Sequence, residues 1–408
     1  MKSKFSLGLF GLFSVVSASA QGLYYVGDET KEASPLKWVV GASVTYDDNV
    51  NPGVGDKEDS TGITPFVGLS LVSITPQTTW DVYARLGLIY YFDSPDYGGD
   101  SEDVYSQSRV GANFTHNFNE RLRFASRNFA AYELEPDYSY GYASGRQQGE
   151  YFYWSTDNSV GYRWTERFGT YTGLRLTGAD YDGRNNDRVG WEAYNQLRYQ
   201  LGPQTVLTAD YRYGQTYGDG QSSDSTDQYL LGGVEQRFSP NTIGILRAGA
   251  QFRDVDDGDS NTSPYLELAL NSRVTQQFTV KAFTRYGIES YDTVRFDSSI
   301  PDSVEYDSRS TWRLGISSSY VVSPTFTIFS GVDYIPATFE DGRVLNAVAG
   351  TPVADRDEDT LNAYIGLSVK LTDYLTGTAS YNYTKSDSDF DNNTYNRNRV
   401  SVGVSAEF

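Results

Sequence analysis

The chain has 408 residues, 53 acidic against 33 basic side chains, a formal net charge of −20 at pH 7, one histidine and no cysteine. This charge argues against a nucleic-acid binder, which needs basic surface, and the missing cysteines exclude disulfides and thiolate metal sites. With 34 Tyr, 39 Gly and a single Met, the composition describes alternating β-strands rather than a helical bundle.

In chain order, Lys2 and Lys4 precede an apolar run from Phe5 to Val16 and the small residues Ala18, Ser19 and Ala20. These are the three regions of a secretory signal peptide, so residues 1–20 are set apart from the fold. Residues 21–36 read as a short periplasmic segment, and 37–408 as one domain. No later stretch approaches the ~18 apolar residues of a membrane helix. A membrane protein of this composition is therefore a closed barrel, because lipid leaves no other way to satisfy strand backbone.

The first strand and loop read Gly41-Ala42-Ser43-Val44-Thr45-Tyr46-Asp47-Asp48-Asn49-Val50. This stretch resembles the start of outer-membrane proteins of the β-barrel porin-2 type. The resemblance implies a channel-like protein of the bacterial outer membrane and carries no catalytic residue. From Trp38 onward the spacing predicts an all-β fold, a transmembrane antiparallel up-and-down barrel of about eighteen strands, each roughly ten residues long. Short turns are expected at 74–77, 117–121, 165–167, 202–204, 239–242, 275–277, 323–325 and 372–374. They alternate with long polar loops near 48–60, 93–103, 136–147, 182–187, 217–227, 254–263, 292–308, 339–357 and 385–396. That alternation assigns the turns to the periplasm and the loops to the outside.

Within a strand the two faces differ. Trp80, Val82, Ala84, Leu86, Leu88, Tyr90 and Phe92 form one face, and Asp81, Tyr83, Arg85, Gly87, Ile89 and Tyr91 the other. The apolar face is assigned to lipid, where a mid-bilayer charge costs about 2–4 kcal/mol. All six tryptophans, Trp38, Trp80, Trp154, Trp164, Trp191 and Trp312, fall on outward faces near strand ends, at the membrane interface. The patterning is weakest in Leu122–Leu134 and Gly169–Asp180. The inward faces supply the expected pore lining: Arg85, Arg109, Arg127, Arg163, Arg198, Arg212, Arg237, Arg247, Lys281, Arg285, Arg313 and Lys370. Opposing them are acids including Glu192, Asp210 and Glu289, and inward Tyr83, Tyr194 and Tyr364 are candidates for stacking on a sugar or for filling space.

His116 lies between Phe114 and Phe118 on an outward face beside a turn. An interfacial role fits it better than a catalytic triad, which needs a base and an orienting partner. The acidic run Asp387, Asp389 and Asp391 resembles the start of a calcium loop. It departs from that motif with Asn392 at the sixth position and Asn398 at the twelfth, so solvated loop or loose bridging of divalent cations to lipopolysaccharide is the alternative. In the 339–357 loop, Val344, Leu345, Ala347, Val348 and Ala349 want burial, either as a lumenal constriction or against another subunit.

The last strand alternates strictly. Val400, Val402, Val404, Ala406 and Phe408 are apolar, with polar or small residues between them. Val404, Ala406 and the terminal Phe408 resemble the assembly signal of outer-membrane barrels, which implies the barrel-assembly machinery as a partner. The expectation is thus a bacterial outer-membrane channel for passive diffusion of small polar solutes, without enzyme activity, cofactor or nucleic acid. Outer-membrane lipid and lipopolysaccharide surround it, and a homo-oligomer is open. A polysaccharide-export barrel and a structural or adhesive barrel without an open pore are the alternatives.

Overall fold

A computed structural model of the chain describes residues 33–52, 57–93, 95, 103–134, 150–182, 187–218, 223–256, 258–289, 294–296, 303–344, 352–390 and 393–408. The expected signal peptide and most of 21–36 lie outside them. Twenty strands, from Ser34–Asp47 to Tyr395–Glu407, form one sheet in which sequence neighbours pair antiparallel. Two of the twenty, Val294–Phe296 and Pro352–Val353, are ribbons beside the longest hairpin, and the other eighteen make the wall. The first strand begins at Ser34, inside the segment expected to precede the barrel.

The sheet closes on itself. Val39 through Asp47 of the first strand pair with Glu407 back to Arg399 of the last. Closure removes every free edge, and an even strand number brings both ends of the wall to one rim. At that rim eight connections of two to four residues join the strands. Several share one device, a hydroxyl or amide oxygen accepting the backbone N–H three residues on. Thr75 takes Thr78 N–H at 3.0 Å, Asn119 takes Leu122 N–H at 2.9 Å, and Thr372 takes Leu375 N–H at 3.0 Å. Such side chains mimic a backbone turn, which is why these short connections were recognisable.

The wall strands run 11–15 residues, except Ser303–Ser323 and Phe326–Val344, which reach 21 and 19. They exceed the expected ten because they continue beyond the lipid. The expected loops shrink accordingly. The strands flanking 254–263 end at Val255 and resume at Ser260, and those flanking 339–357 end at Val344 and resume at Arg356. Residues 345–349 and Asp391 lie outside the described residues.

The outward face carries Leu86, Leu88, Val400, Val402 and Val404 at 42–58 % exposure. Trp38, Trp80, Trp164 and Trp312 are also exposed, whereas Trp154 and Trp191 are half-buried. A continuous apolar wall cannot face water. On a closed barrel it faces hydrocarbon, and the fold is an outer-membrane-type transmembrane barrel. His116 sits on this outer wall as expected. Its Nδ1 is 2.8 Å from the Thr78 hydroxyl, and its ring lies 6.2 Å from Phe114 and 4.6 Å from Phe118.

Inside, aromatic rings lie flat on glycines of the neighbouring strand. Tyr83 faces Gly111, Tyr194 faces Gly173, Tyr364 faces Gly331, Phe283 faces Gly315 and Phe329 faces Gly366, each pair directly opposite in register. A Cβ built on any of these glycines would come within 2.1–2.5 Å of the ring. Glycine lets the ring approach the neighbouring backbone this closely.

The candidate pore and its charged lining

The expected pore-lining residues occupy the inner wall and are arranged by the cross-strand register. Alternating charge runs along one row: Asp81, Asn113, Arg127, Asp157, Arg175 and Glu192 are successive opposite partners on six consecutive strands. Arg175 reaches Glu192 at 3.1 Å and Asp157 at 3.4 Å, and the Tyr194 hydroxyl donates to Asp157 at 2.7 Å. Opposite charges facing each other across a ladder stabilise both register and pair.

A second cluster spans the strands from Arg188–Gly202 to Ser260–Arg273. Arg198 grips Glu235 with two bonds of 2.6 and 2.5 Å, and Arg212 grips Glu267 at 3.2 and 3.3 Å. Between them Arg247, with no exposed surface, is 3.5 Å from each of Asp210, Glu235 and Glu267. The amide of Gln196 donates to Asp210 at 2.5 Å. In a third cluster Glu289 accepts from Arg313 at 2.6 and 2.8 Å, Arg285 at 2.5 Å and Arg309 at 3.3 Å. Arg109 binds Glu133 at 2.7 and 2.8 Å, and facing Arg85 lies 4.1 Å over the Phe66 ring. Guanidinium suits such sites because its planar fork matches a carboxylate.

Other expected lining residues sit near the short-turn rim. Arg163 approaches Glu120 at 4.0 Å, and Lys370 approaches Asp373 at 3.4 Å. Arg237 is exposed there, and Lys281 pairs in register with Ser317 and Asn271. The expected tyrosines Tyr83, Tyr194 and Tyr364 lie against their glycines rather than standing into the lumen. Sequence reading missed Arg175, Arg309 and the Arg253–Asp227 pair at 3.3 Å. Arg175 was hidden by the weak alternation of its strand, and Arg309 stands directly after the expected 292–308 loop, whose end the strand overruns by starting at Ser303.

The rest of the wall differs in chemistry. On strands 356–370, 375–388, 395–407 and 34–47, hydroxyls and amides prevail at mid-height. Thr45 and Ser401 hydroxyls are 2.8 Å apart. Asn362 accepts from Asn382 at 2.8 Å and from Thr384 at 3.1 Å, and Arg399 donates to Asn382 at 3.0 Å. The lumen thus has a charged arc and a hydroxyl–amide arc facing each other.

The long hairpin shapes the outer mouth. Glu305 accepts from Ser223 N–H at 2.7 Å and from Arg343 at 2.9 Å, and Asp307 accepts from Asp259 N–H at 3.0 Å. Ser223 and Asp259 belong to connections of strands not adjacent to the hairpin, so the hairpin bends inward across part of the mouth. Its other face closes on an apolar knot in which the rings of Tyr306, Phe339 and Phe390 meet at 5.0–5.7 Å. Of the calcium candidates, Asp387 approaches Lys385 at 3.4 Å and Asp389 accepts from Asp357 N–H at 3.1 Å. Among the described residues no three acidic or histidine side chains gather as a metal site.

No protein-family model matches the chain, and no curated protein matches it. Solved structures similar to it include the outer membrane protein OpdK of Pseudomonas aeruginosa, 11 % identical, covering 91 % of this chain and 99 % of that one, with a TM-score of 0.46. OccAB4 of Acinetobacter baumannii is 12 % identical over 92 % of this chain and 99 % of its own, TM-score 0.45. A BenF-like porin from Pseudomonas fluorescens is 10 % identical over 93 % and 99 %, TM-score 0.47.

Proposed function

We propose that the protein is an outer-membrane channel through which small polar solutes diffuse passively. The observation that carries this reading is the polarity of the inner wall: paired charges on one arc and hydroxyls and amides on the other line the lumen, while apolar residues cover the outside. Such a lining keeps water in the barrel, and a hydrated path is what a diffusing solute needs. Because the arginines are matched by carboxylates, the lumen has a transverse field rather than a bare basic track. That favours small dipolar or zwitterionic solutes over an acidic polymer. The test is a planar-bilayer recording of the purified, folded barrel. Stepwise conductance increments that vanish after heat unfolding are expected. A folded barrel that seals the bilayer overturns the reading.

A further inference from the structure

Among the described residues the lipid-facing wall is interrupted by a hydroxyl pair, Ser318 and Ser330 at 3.0 Å, and by one larger polar patch. Asparagine occurs at mid-height on the outer face three times, as Asn128, Asn158 and Asn195, all within the four consecutive strands from Leu122–Glu133 to Arg188–Gly202. The first two are joined by side-chain bonds. Asn128 donates to Ser126 at 3.1 Å and to the Ala112 carbonyl at 3.3 Å, Thr156 donates to Asn128 at 2.7 Å, and Asn158 donates to Thr156 at 2.8 Å. Nearby, Asn195 donates to Thr172 at 2.7 Å. Asn128, Thr172 and Asn195 are exposed.

These groups are too deep for lipid headgroups. Asn158 stands six residues from Trp164 at the short-turn rim. At roughly 3.3 Å per residue and a tilt of about 40°, that is about 15 Å, the middle of an apolar band about 25 Å tall. An amide offers two donors and two acceptor lone pairs, and the bonds above use only part of them. Hydrocarbon supplies no partner for the remainder.

We propose that this patch is a two-fold contact with a second copy of this chain inside the membrane. The occupant follows from the chemistry. Asparagine, serine and threonine each both donate and accept, so the patch is complementary to itself without any opposite charge, which is the requirement of an isologous interface. The relief is also right. Ala112 and Ala130 flank the amides on the outer face, and on Leu122–Glu133 the one large hydrophobic side chain that is exposed is Tyr132, near its outer end. Small side chains let two walls approach closely enough for direct hydrogen bonds. The same polar residues explain why Leu122–Leu134 and Gly169–Asp180 read as the weakest strands.

The chain has no cysteine, so single-cysteine variants report without background. Asn128→Cys, Asn158→Cys and, on the opposite wall, Leu367→Cys are treated with a short bis-maleimide in native membranes. A dimer is expected from a patch variant and none from Leu367→Cys. Equal yields at all three positions, or no dimer from either patch variant, overturn the proposal. Independently, native mass of the folded barrel in lipid nanodiscs should be dimeric for the wild type and monomeric for Asn128→Leu/Thr156→Val/Asn158→Leu. That triple variant places apolar groups toward lipid and keeps its heat-modifiable barrel. A monomeric wild type, a triple variant that stays dimeric, or a contact only with a different protein overturns the contact.

Discussion

Glu289 holds Arg285, Arg309 and Arg313 together at the inner wall. Removing its charge leaves three guanidinium groups crowded in a buried site, and breaking a buried pair costs about 3–5 kcal/mol. Glu289→Gln should therefore lower barrel stability by about 3 kcal/mol, read by urea titration in lipid. It should also shift ion selectivity toward anions, read as the reversal potential across a tenfold KCl gradient. An unchanged potential means the cluster lies off the ion path. A second residue-scale prediction concerns Gly111, whose added Cβ would meet the far end of the Tyr83 ring at 2.3 Å. That ring end can swing, so Gly111→Ala should fold and push Tyr83 into the lumen. Single-channel conductance should fall, with no change in heat-modifiability. The inward position of these tyrosines was legible from alternation. Their flat posture was not, because it depends on which residue stands opposite, and register is invisible to a single strand.

At the scale of elements, the junction between the first and last strands is clamped at both ends. Arg397 binds Asp47 at 2.8 and 2.5 Å near the outer rim, and Lys37 binds Glu407 at 2.5 Å near the other. Beside the outer clamp, Asp48 accepts from Asn398 N–H at 2.6 Å and from its amide at 2.7 Å, with Lys57 at 3.6 Å. Partial burial disfavours the charged carboxylate, but the Asn398 bonds and Lys57 outweigh it and hold Asp48 below the usual carboxylate range. The folded value is depressed, so the contribution to stability is present above the ordinary value near 4 and is lost as pH falls through the lower folded one. Wild-type stability should drop between pH 5 and pH 3, in the sense of roughly these limits, and Asp48→Asn should flatten part of that drop. Urea midpoints at the two pH values check it. Strand number, turn positions and facing were readable because turn chemistry and period-two patterning are local. Strand ends were not, since hairpins rising above the lipid lose the apolar face that marks them.

For the whole molecule, the rim of short turns and the rim of long connections predict an orientation, short turns toward the periplasm. In intact cells an impermeant thiol reagent should label Asp256→Cys, on the long-connection side, and spare Asn241→Cys in a short turn. The reverse labelling would invert the barrel. The chain's acidity was legible from composition and the inward acids from alternation, but which carboxylate grips which arginine was not, because that depends on the register between strands. The clamp between Asp47 and Arg397 has a consequence in time. The two residues are 350 positions apart in sequence, so Asp47 gains its partner only when the strand 395–407 has been synthesised and delivered. A chain cut short before its last strand keeps a buried-type carboxylate unmatched at one edge and an unpaired ladder beside it. Such a fragment can curl but cannot shut, and it stays open to proteolysis. The contact that seals the wall is thereby also among those of longest sequence separation, and closures of such length form slowly.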